Sequence, residues 1–214
     1  MKTFIFGASG HAKEVLWIIK EINKLAEEVI VVDKFVVAEN DPLLGGYYDS
    51  ISIISESAYL ENYANQVHNC ILAIGSSKIR KNILNKIVTE KTQFPSLIHP
   101  SVIYDKTRVK IGKGVIIEAN VTLTTDINIA DFVHVNIGST ISHDVQINSF
   151  VTISPSVHIA GNVTLKENVF LGINSTIIER LTICENTTIG AGALVLKEIT
   201  DAGTYVGIPA RKIK

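Results

Sequence analysis

The sequence predicts an α/β domain over residues 1–98, followed by an all-β solenoid over residues 99–214. Three observations predict this fold. Strand-like runs alternate with amphipathic stretches in the first part, a glycine-containing turn follows the first apolar run, and a six-residue repeat fills the second part. The boundary falls after a short predicted strand that leads into His99-Pro100-Ser101.

The elements of the first part alternate along the chain: strand 2–6, helix 12–24, strand 28–32, helix 55–66, strand 70–74 and helix 78–90. Strands that alternate with helices imply a small parallel sheet wrapped by helices. The arrangement is that of a half-size Rossmann-like domain. Ligands of such domains bind at the carboxyl ends of the strands. Those ends are predicted to carry Gly7 to His11, Asp33, and Gly75 to Ser77.

The first turn reads Gly7-Ala8-Ser9-Gly10-His11 and departs from the dinucleotide fingerprint, because Ser9 replaces its second glycine. Two interpretations stay open. The glycines can serve a sharp strand-to-helix turn, or the turn can cradle a phosphate at a helix N-terminus. Asp33 follows Gly10 by 23 residues, a spacing typical of an acid that binds a ribose or a base edge.

The repeat of the second part has two apolar columns. One begins at Ile103 and recurs every six residues as an aliphatic or small residue to Ile199, and the other runs from Ile111 to Val195 as Ile, Leu or Val. A helix has a period of about 3.6 residues and a strand a period of 2, so neither keeps both columns clean. A fixed short period with two inward positions is typical of a β-solenoid. The columns show no insertion.

Composition excludes several classes of function. A net charge of −1 gives no electrostatic reason to expect nucleic acid as a partner. No run approaches the roughly 20 apolar residues of a membrane-spanning helix, and the chain opens directly into a strand without a signal-peptide layout. We therefore expect no membrane insertion and a cytoplasmic location. Cys70 and Cys184 lie in different segments and form no disulfide framework.

The solenoid and the N-terminal turn together resemble nucleotide-sugar acetyltransferases of the sialic acid O-acetyltransferase type. The resemblance covers nearly the whole chain and rests on GASGHAKEV (7–15), AIGSSKIRKNI (73–83), LIHPSV (97–102), NIGSTISHD (136–144), AGNV (160–163), FLGINS (170–175), IGAGALV (189–195) and VGIPARKI (206–213). It implies a left-handed parallel β-helix, in which three hexads form one triangular coil. It also implies a homotrimer with acetyl-CoA bound between subunits, and N-acetylation of a UDP- or GDP-linked 4-amino-4,6-dideoxy sugar.

The resemblance assigns the catalytic base to His143, with Asp144 orienting its imidazole where relatives often carry Glu. A histidine can remove a proton near neutral pH. Spacing alone favours a solvated turn histidine at this position, and the resemblance reverses that preference. Asn136 matches a position that faces the reacting centre in relatives. It can serve as a donor to the substrate or as a purely structural corner residue.

Further residues are assigned by the same resemblance. Gly161, Gly172, Ala191 and Gly192 match places where the backbone approaches the pantetheine arm of CoA. Arg211 and Lys212 match the segment near the CoA phosphates, or they form a solvated tail. His11 matches the turn that contacts the nucleotide-sugar. With the strand ends, it completes a predicted substrate site of Gly7, Ser9, Gly10, His11, Asp33, Gly75 and Ser76.

Three alternatives compete with this prediction. Some β-helices bind zinc through three histidines stacked one coil apart, but His134, His143 and His158 are separated by 9 and 15 residues, so no metal is expected. We expect His134 and His158 on the surface. A non-catalytic scaffold would show repetitive outward residues, which are not seen here. O-acetylation of sialic acid or of another polysaccharide sugar is the alternative reaction, and one histidine base can serve either chemistry.

Overall fold

The structure, a computed structural model, describes every residue from Met1 to Lys214. Contacts between Cα atoms divide it into two compact units, Met1–Pro95 and Ser96–Lys214. The division lies three residues before the predicted boundary at residue 98, because Leu97 and Ile98 pair with Ile116 and Ile117 of the second unit.

The first unit is a six-stranded sheet with three helices. Its elements are β1 (Lys2–Phe6), α1 (Gly10–Asn23), β2 (Val31–Val37), β3 (Tyr47–Tyr48), β4 (Ile51–Ser55), α2 (Glu56–Asn62), β5 (His68–Leu72), α3 (Ser77–Ile87) and β6 (Thr92–Gln93). The strand order is β3-β4-β2-β1-β5-β6, and only β3 is antiparallel to its neighbour. The chain moves outward from β1 through β2 and then returns to the other side of β1 with β5. A crevice is therefore expected at the carboxyl ends of β1 and β5. No helix of the structure combines the length and the apolar character that crossing a membrane requires.

Strand β2 extends past the position where the sequence predicted its end. Thr3 pairs with Val32 and Phe4 pairs with Lys34, so Asp33 is the extra residue of a β-bulge. The strand then continues through three buried residues to Val37. The prediction that Asp33 lies at the carboxyl end of a strand is wrong, because burial of the following apolar residues outweighs the local charge of Asp33-Lys34.

A buried polar chain links α2 to β5. The Tyr59 hydroxyl lies 2.5 Å from His68 Nε2 and 3.3 Å from Cys70 Sγ, and His68 Nδ1 lies 2.6 Å from the Gln66 carbonyl oxygen. Because a carbonyl only accepts, Nδ1 carries the hydrogen and Nε2 accepts from the tyrosine hydroxyl. Burial raises the pKa of Cys70 to about 12. The thiol therefore stays protonated at neutral pH and donates to Tyr59 as a structural group.

Replacing Tyr59 with phenylalanine is expected to lower the free energy of unfolding of the first unit by about 1–3 kcal/mol, because His68 Nε2 then loses its buried donor. Urea denaturation followed by circular dichroism at the helical band measures this unit, since all three helices belong to it. Tyr63→Phe is the matched control, because the Tyr63 hydroxyl makes no hydrogen bond within the chain and its ring also contacts Phe4. Equal losses in the two variants would contradict this account.

The second unit is a parallel β-helix built from short strands. They are β7 (Leu97–Ile98), β8 (Ile103–Tyr104), β9 (Lys110–Ile111), β10 (Ile116–Ile117), β11 (Thr122–Leu123), β12 (Asn128–Ile129), β13 (His134–Val135), β14 (Thr140–Ile141), β15 (Gln146–Ile147), β16 (Thr152–Ile153), β17 (His158–Ile159), β18 (Thr164–Leu165), β19 (Phe170–Leu171), β20 (Thr176–Ile177), β21 (Thr182–Ile183), β22 (Thr188–Ile189), β23 (Leu194–Val195), β24 (Thr204–Val206) and β25 (Arg211–Lys212). From β7 to β23 every third strand joins the same sheet, so three sheets form the sides of the coil, and β24 and β25 extend the sheet of β22. Only β25 runs antiparallel to its neighbour.

Both predicted columns form the core of this β-helix. Val133, Val151, Val135 and Ile153 are each 0% exposed, and the other members from Val115 onward are buried with the single exception of Leu181. The polar members of the first column, Ser139, Ser175 and Thr187, are also fully buried. The six-residue period therefore predicts the inward positions correctly over most of the repeat.

The first coil departs from the period by one residue. Ile103 pairs with Thr122, an offset of 122 − 103 = 19, whereas Lys110 pairs with Asn128, an offset of 128 − 110 = 18. One extra residue therefore lies in the turn before Lys110, where the Asp105 carboxylate accepts from the Thr107 N–H at 2.9 Å. The predicted absence of insertions is wrong here. Ile103 is 69% exposed as a result, and Val102 and Tyr104 pack against the core instead.

The corners of the coil repeat a left-handed backbone conformation. From Gly114 to Gly192 every sixth residue has a φ between 56° and 68°, including Asn120, Asp126, Asp144 and Asn162. Asparagine, aspartate and glycine adopt this conformation more readily than other residues. These corners turn the chain between sheets, and they determine which side chains project outward at each edge.

Candidate active site

His143 and Asp144 lie at the corner that follows β14. The Asp144 N–H donates to the Thr125 carbonyl of the coil before at 3.2 Å, and the Asn162 N–H donates to the His143 carbonyl at 2.9 Å. The backbone of the pair is thus held by both neighbouring coils. The Asp144 φ of 61° sets the direction in which its carboxylate leaves the corner.

The His143 imidazole has the hydrogen bonding of a base. Its Nδ1 lies 2.8 Å from Asp144 Oδ2, so in the neutral ring Nδ1 carries the hydrogen and Nε2 keeps its lone pair. Nε2 makes no hydrogen bond within the chain, and 57% of the side chain is exposed. A carboxylate on Nδ1 also stabilises the imidazolium that forms when Nε2 takes a proton.

Gly161 lies beneath this imidazole, one coil further along the chain. A Cβ atom at position 161 would lie 2.5 Å from His143 Cε1 and 2.6 Å from His143 Nε2. These distances are far below van der Waals contact, so the ring rests in the space that the glycine leaves. The structure therefore brings together His143, Asp144 and Gly161, which the sequence had assigned to two different roles.

Asn136 belongs to a different corner of the same coil. It follows β13, and its side-chain Nδ2 donates to the Ile153 carbonyl at 2.6 Å, as its own backbone N–H does at 2.9 Å. The whole of strand β14 separates it from His143. Within one chain, the structure does not bring this predicted catalytic residue to the histidine.

The residues predicted to contact CoA occupy three different settings. A Cβ at Gly172 would lie 2.6 Å from the backbone nitrogen of Ala191, so close stacking of coils already explains this glycine. Ala191 and Gly192 are exposed on a corner, with open space beside Gly192. Arg211 and Lys212 line a cavity of about 280 Å³ together with Lys197, Tyr205 and Ala210, and Lys212 pairs with Asp201.

The crevice at the switch point of the first unit is formed by the turns after β1 and β5. Gly7 has a φ of +103°, and a Cβ there would lie 2.7 Å from the Ala73 carbonyl oxygen, so this position requires glycine. A cavity of about 240 Å³ lies at these turns. It is lined by Gly7, Ala8 and Ser9, by the end of β2, by Ile74 of the turn after β5, and by Ile79 and Ile83 of α3. Two of the predicted substrate residues, Gly7 and Ser9, line this cavity.

The remaining predicted substrate residues border the crevice or lie away from it. Gly10 and His11 begin helix α1, and His11 Nδ1 is 3.4 Å from Glu14 Oε2. Gly75 and Ser76 precede α3 and are exposed. Asp33, in its bulge, does not line the cavity.

Two acidic residues that the sequence prediction missed do line this cavity, namely Asp41 and Glu56. The Asp41 Oδ1 atom accepts from the Leu43 N–H at 2.9 Å, and Glu56 pairs with Lys86 at 2.6 Å. Asp41-Pro42, four residues after the buried end of β2 at Val37, was the signal available in the sequence. Asp41 follows the true carboxyl end of β2, which is where we had expected Asp33 to lie.

Two other histidines of the β-helix, His134 and His158, are not part of the site around His143. His158 is exposed, as predicted, with Nδ1 2.9 Å from the Thr140 hydroxyl. His134 is only 1% exposed, so its predicted surface position is wrong. The neighbouring outward residues Ile116 and Thr152 are buried as well, so the outward face of the sheet is buried at this level.

A parallel β-helix with a histidine–aspartate pair at a corner, preceded by an α/β unit with a switch-point crevice, is the arrangement expected of the acetyltransferases that the sequence resembles. Residues 2–87 match the family model described as the PglD N-terminal domain. A GDP-perosamine N-acetyltransferase from Escherichia coli O157:H7 is 32% identical over 139 residues, which are 64% of this chain and 60% of that protein. The matched region thus spans less than two thirds of that relative.

Solved structures match along the whole chain. PerB from Caulobacter crescentus, in complex with CoA and GDP-perosamine, has a TM-score of 0.89 and 25% identity, covering 100% of this chain and 98% of that chain. The acetyltransferase domain of PglB from Neisseria gonorrhoeae FA1090 has a TM-score of 0.86 and 27% identity over 99% of both chains. That PglB domain was also solved with acetyl coenzyme A.

The predicted resemblance to nucleotide-sugar acetyltransferases is confirmed by these matches. The predicted fold, a Rossmann-like α/β domain followed by a left-handed parallel β-helix, is confirmed by the sheet topology and by these matches. Two further structures of the Caulobacter enzyme carry alanine or asparagine in place of one histidine.

Proposed function

We propose that this chain transfers the acetyl group of acetyl-CoA to the amino group of a nucleotide-linked sugar of the 4-amino-4,6-dideoxy type. The observation that carries the proposal is the His143–Asp144 pair, in which Nδ1 is hydrogen-bonded and Nε2 is left with an exposed lone pair. The similarity to a GDP-perosamine N-acetyltransferase and to enzymes solved with CoA supports the substrate class and the acyl donor.

The chemistry follows from the base. The sugar amine attacks the thioester carbonyl carbon, and His143 Nε2 takes a proton from the amine as the new C–N bond forms. The tetrahedral intermediate then collapses, the C–S bond breaks, and the imidazolium returns the proton to the departing CoA thiolate. Asp144 keeps the ring in the required tautomer and stabilises its charged form. The products are the N-acetylated nucleotide-sugar and CoA.

We assign the nucleotide to the crevice of the first unit. Gly7, Ser9, Gly10 and His11 lie at one strand-to-helix turn, and Gly75 with Ser76 lies at the other. Such turns present backbone N–H groups at helix N-termini, which favour a diphosphate. We assign to Asp41 the ribose- or base-binding role expected of Asp33, because it lines the cavity and Asp33 does not.

On the acyl side, we assign the pantetheine arm to the corner of Ala191 and Gly192. We assign the CoA phosphates to Arg211 and Lys212, which line a cavity together with Lys197. We propose a homotrimer with each active site between two subunits, because His143 and Asn136 leave different corners of one coil. The cytoplasm is the proposed compartment, since acetyl-CoA and nucleotide-sugars are cytoplasmic metabolites.

Thiol release from acetyl-CoA tests this proposal directly. We expect turnover with one of the UDP-, GDP- or dTDP-linked 4-amino-4,6-dideoxy sugars, with GDP-perosamine as the first candidate, and none with free sialic acid. Mass spectrometry of the product would show an acetamide on the sugar. Turnover with sialic acid alone would replace the proposal by O-acetylation. Light scattering of the same active sample, if it gave a monomer, would contradict the trimer.

A further inference from the structure

A buried side chain holds the turn after β5. Arg80, in the first turn of α3, directs Nη1 to the Ile74 carbonyl oxygen at 2.8 Å and to the Gly75 carbonyl oxygen at 2.9 Å. Its residue exposure is 0%. Ile74 also lines the crevice, so the buried guanidinium forms a hydrogen bond to a residue of the cavity wall.

The burial of the charged Arg80 guanidinium needs a structural explanation. Removing a guanidinium from water costs several kcal/mol unless its hydrogen bonds compensate. Desolvation lowers the pKa of Arg80 to about 10, which leaves the group protonated at neutral pH. Capping of the helix does not explain it, because the Ser76 hydroxyl already accepts from the Ile79 N–H at 3.4 Å.

The geometry of the peptide bond supplies a reason. In a trans peptide the C=O and N–H groups point in opposite directions. The Gly75 carbonyl points to the guanidinium, so the Ser76 N–H of the same peptide points away from it, on the exposed side of the turn. This N–H donates to no acceptor within the chain, as is usual for the first amides of a helix.

We propose that Arg80 is a positioning residue for the nucleotide-sugar. By holding the carbonyls of Ile74 and Gly75, it aims the Ser76 N–H and the N-terminus of α3 at a phosphate oxygen of the substrate diphosphate. Its own charge adds a positive potential beneath the turn, where solvent does not screen it. This inference rests on the proposed function, which supplies a nucleotide-linked substrate.

Calorimetric titration with GDP and with guanosine separates a phosphate effect from general damage to the crevice. UDP and uridine replace them if the wild type prefers UDP. We expect Arg80→Met to weaken GDP binding about tenfold or more, and guanosine binding by less than about twofold. Arg80→Lys, which keeps a charge and donors on a shorter side chain, should recover part of the GDP affinity. The KM for acetyl-CoA should not change.

Ser76→Pro tests the same amide without touching the buried arginine. The Ser76 φ of −73° suits proline, which removes only the N–H and the hydroxyl cap. Ser76→Ala loses the same cap and keeps the N–H, so it is the matched control. We expect GDP binding to be about tenfold weaker in Ser76→Pro than in Ser76→Ala. This comparison decides the question even if Arg80→Met fails to fold.

The outcomes distinguish the inference from the proposed function. If GDP and guanosine lose affinity equally in the Arg80 variants, or if Ser76→Pro equals Ser76→Ala, Arg80 is a structural residue only. If the wild type binds none of GDP, UDP and dTDP, the nucleotide site itself is wrong, and this inference falls with it.

Discussion

Alanine in place of His143 is expected to lower kcat/KM for the amino sugar by about 100- to 10,000-fold, the usual contribution of a general base. The physical reason is that Nε2 is the base with a free lone pair at this corner, while Asp144 occupies Nδ1. Steady-state thiol release with the preferred nucleotide-sugar measures the effect. Binding of acetyl-CoA should be nearly unchanged, because the imidazole acts on the amine and its proton.

His158→Ala is the matched control for this variant. His158 is an exposed histidine of the same β-helix, and its ring contacts the Thr140 hydroxyl and lies outside the proposed machinery. We expect its kcat/KM to stay within about twofold of wild type. A His143→Ala enzyme within about tenfold of wild type would overturn the base assignment, since that loss is below the range for general-base catalysis.

Gly161→Ala is expected to lower kcat by about 10- to 100-fold, because a misplacement of about 1 Å in a catalytic group costs on this order. The added Cβ would lie 2.5 Å from His143 Cε1 and 2.6 Å from Nε2, so the ring has to move. Gly161 does not have a positive φ, so the backbone accepts alanine without strain. Stability, measured as Tm, should therefore be close to wild type.

A double-mutant cycle decides how Gly161 acts. If it acts only through the imidazole, Gly161→Ala should have almost no further effect on kcat/KM in a His143→Ala background. If the glycine contacts the pantetheine arm directly, as the sequence resemblance implied, the loss should persist in that background and appear as a higher KM for acetyl-CoA. The second result would return Gly161 to its predicted cofactor role.

The columns of the β-helix show what a periodic sequence can predict. An inward position recurs every six residues in each column. The same repeat therefore predicted that Val133, Val151 and Ile153 are buried. One error arose where the pattern began. Ile103 is an aliphatic residue at the expected six-residue spacing. An extra residue in the following turn nevertheless places its side chain outward.

Strand ends were predicted less well, because an end depends on the neighbouring strands. The charges of Asp33 and Lys34 indicated the end of β2, yet pairing with β1 accommodates Asp33 as a bulge and extends the strand to Val37. Asp41 therefore lines the crevice in its place. His134 shows the same limit, because alternation marks it as outward but does not show whether that face of the sheet is buried.

The sequence by itself determined the two-part fold, the inward columns and the histidine–aspartate pair, because all of these depend on near neighbours or on a regular repeat. Only the tertiary structure decided that the His143 ring rests on Gly161, eighteen residues away, and that Arg80 reaches back to the crevice turn. The physical reason is that coil stacking and helix packing set these contacts. Contacts between residues distant in sequence can be predicted only when the register between coils and the direction of a buried side chain are known.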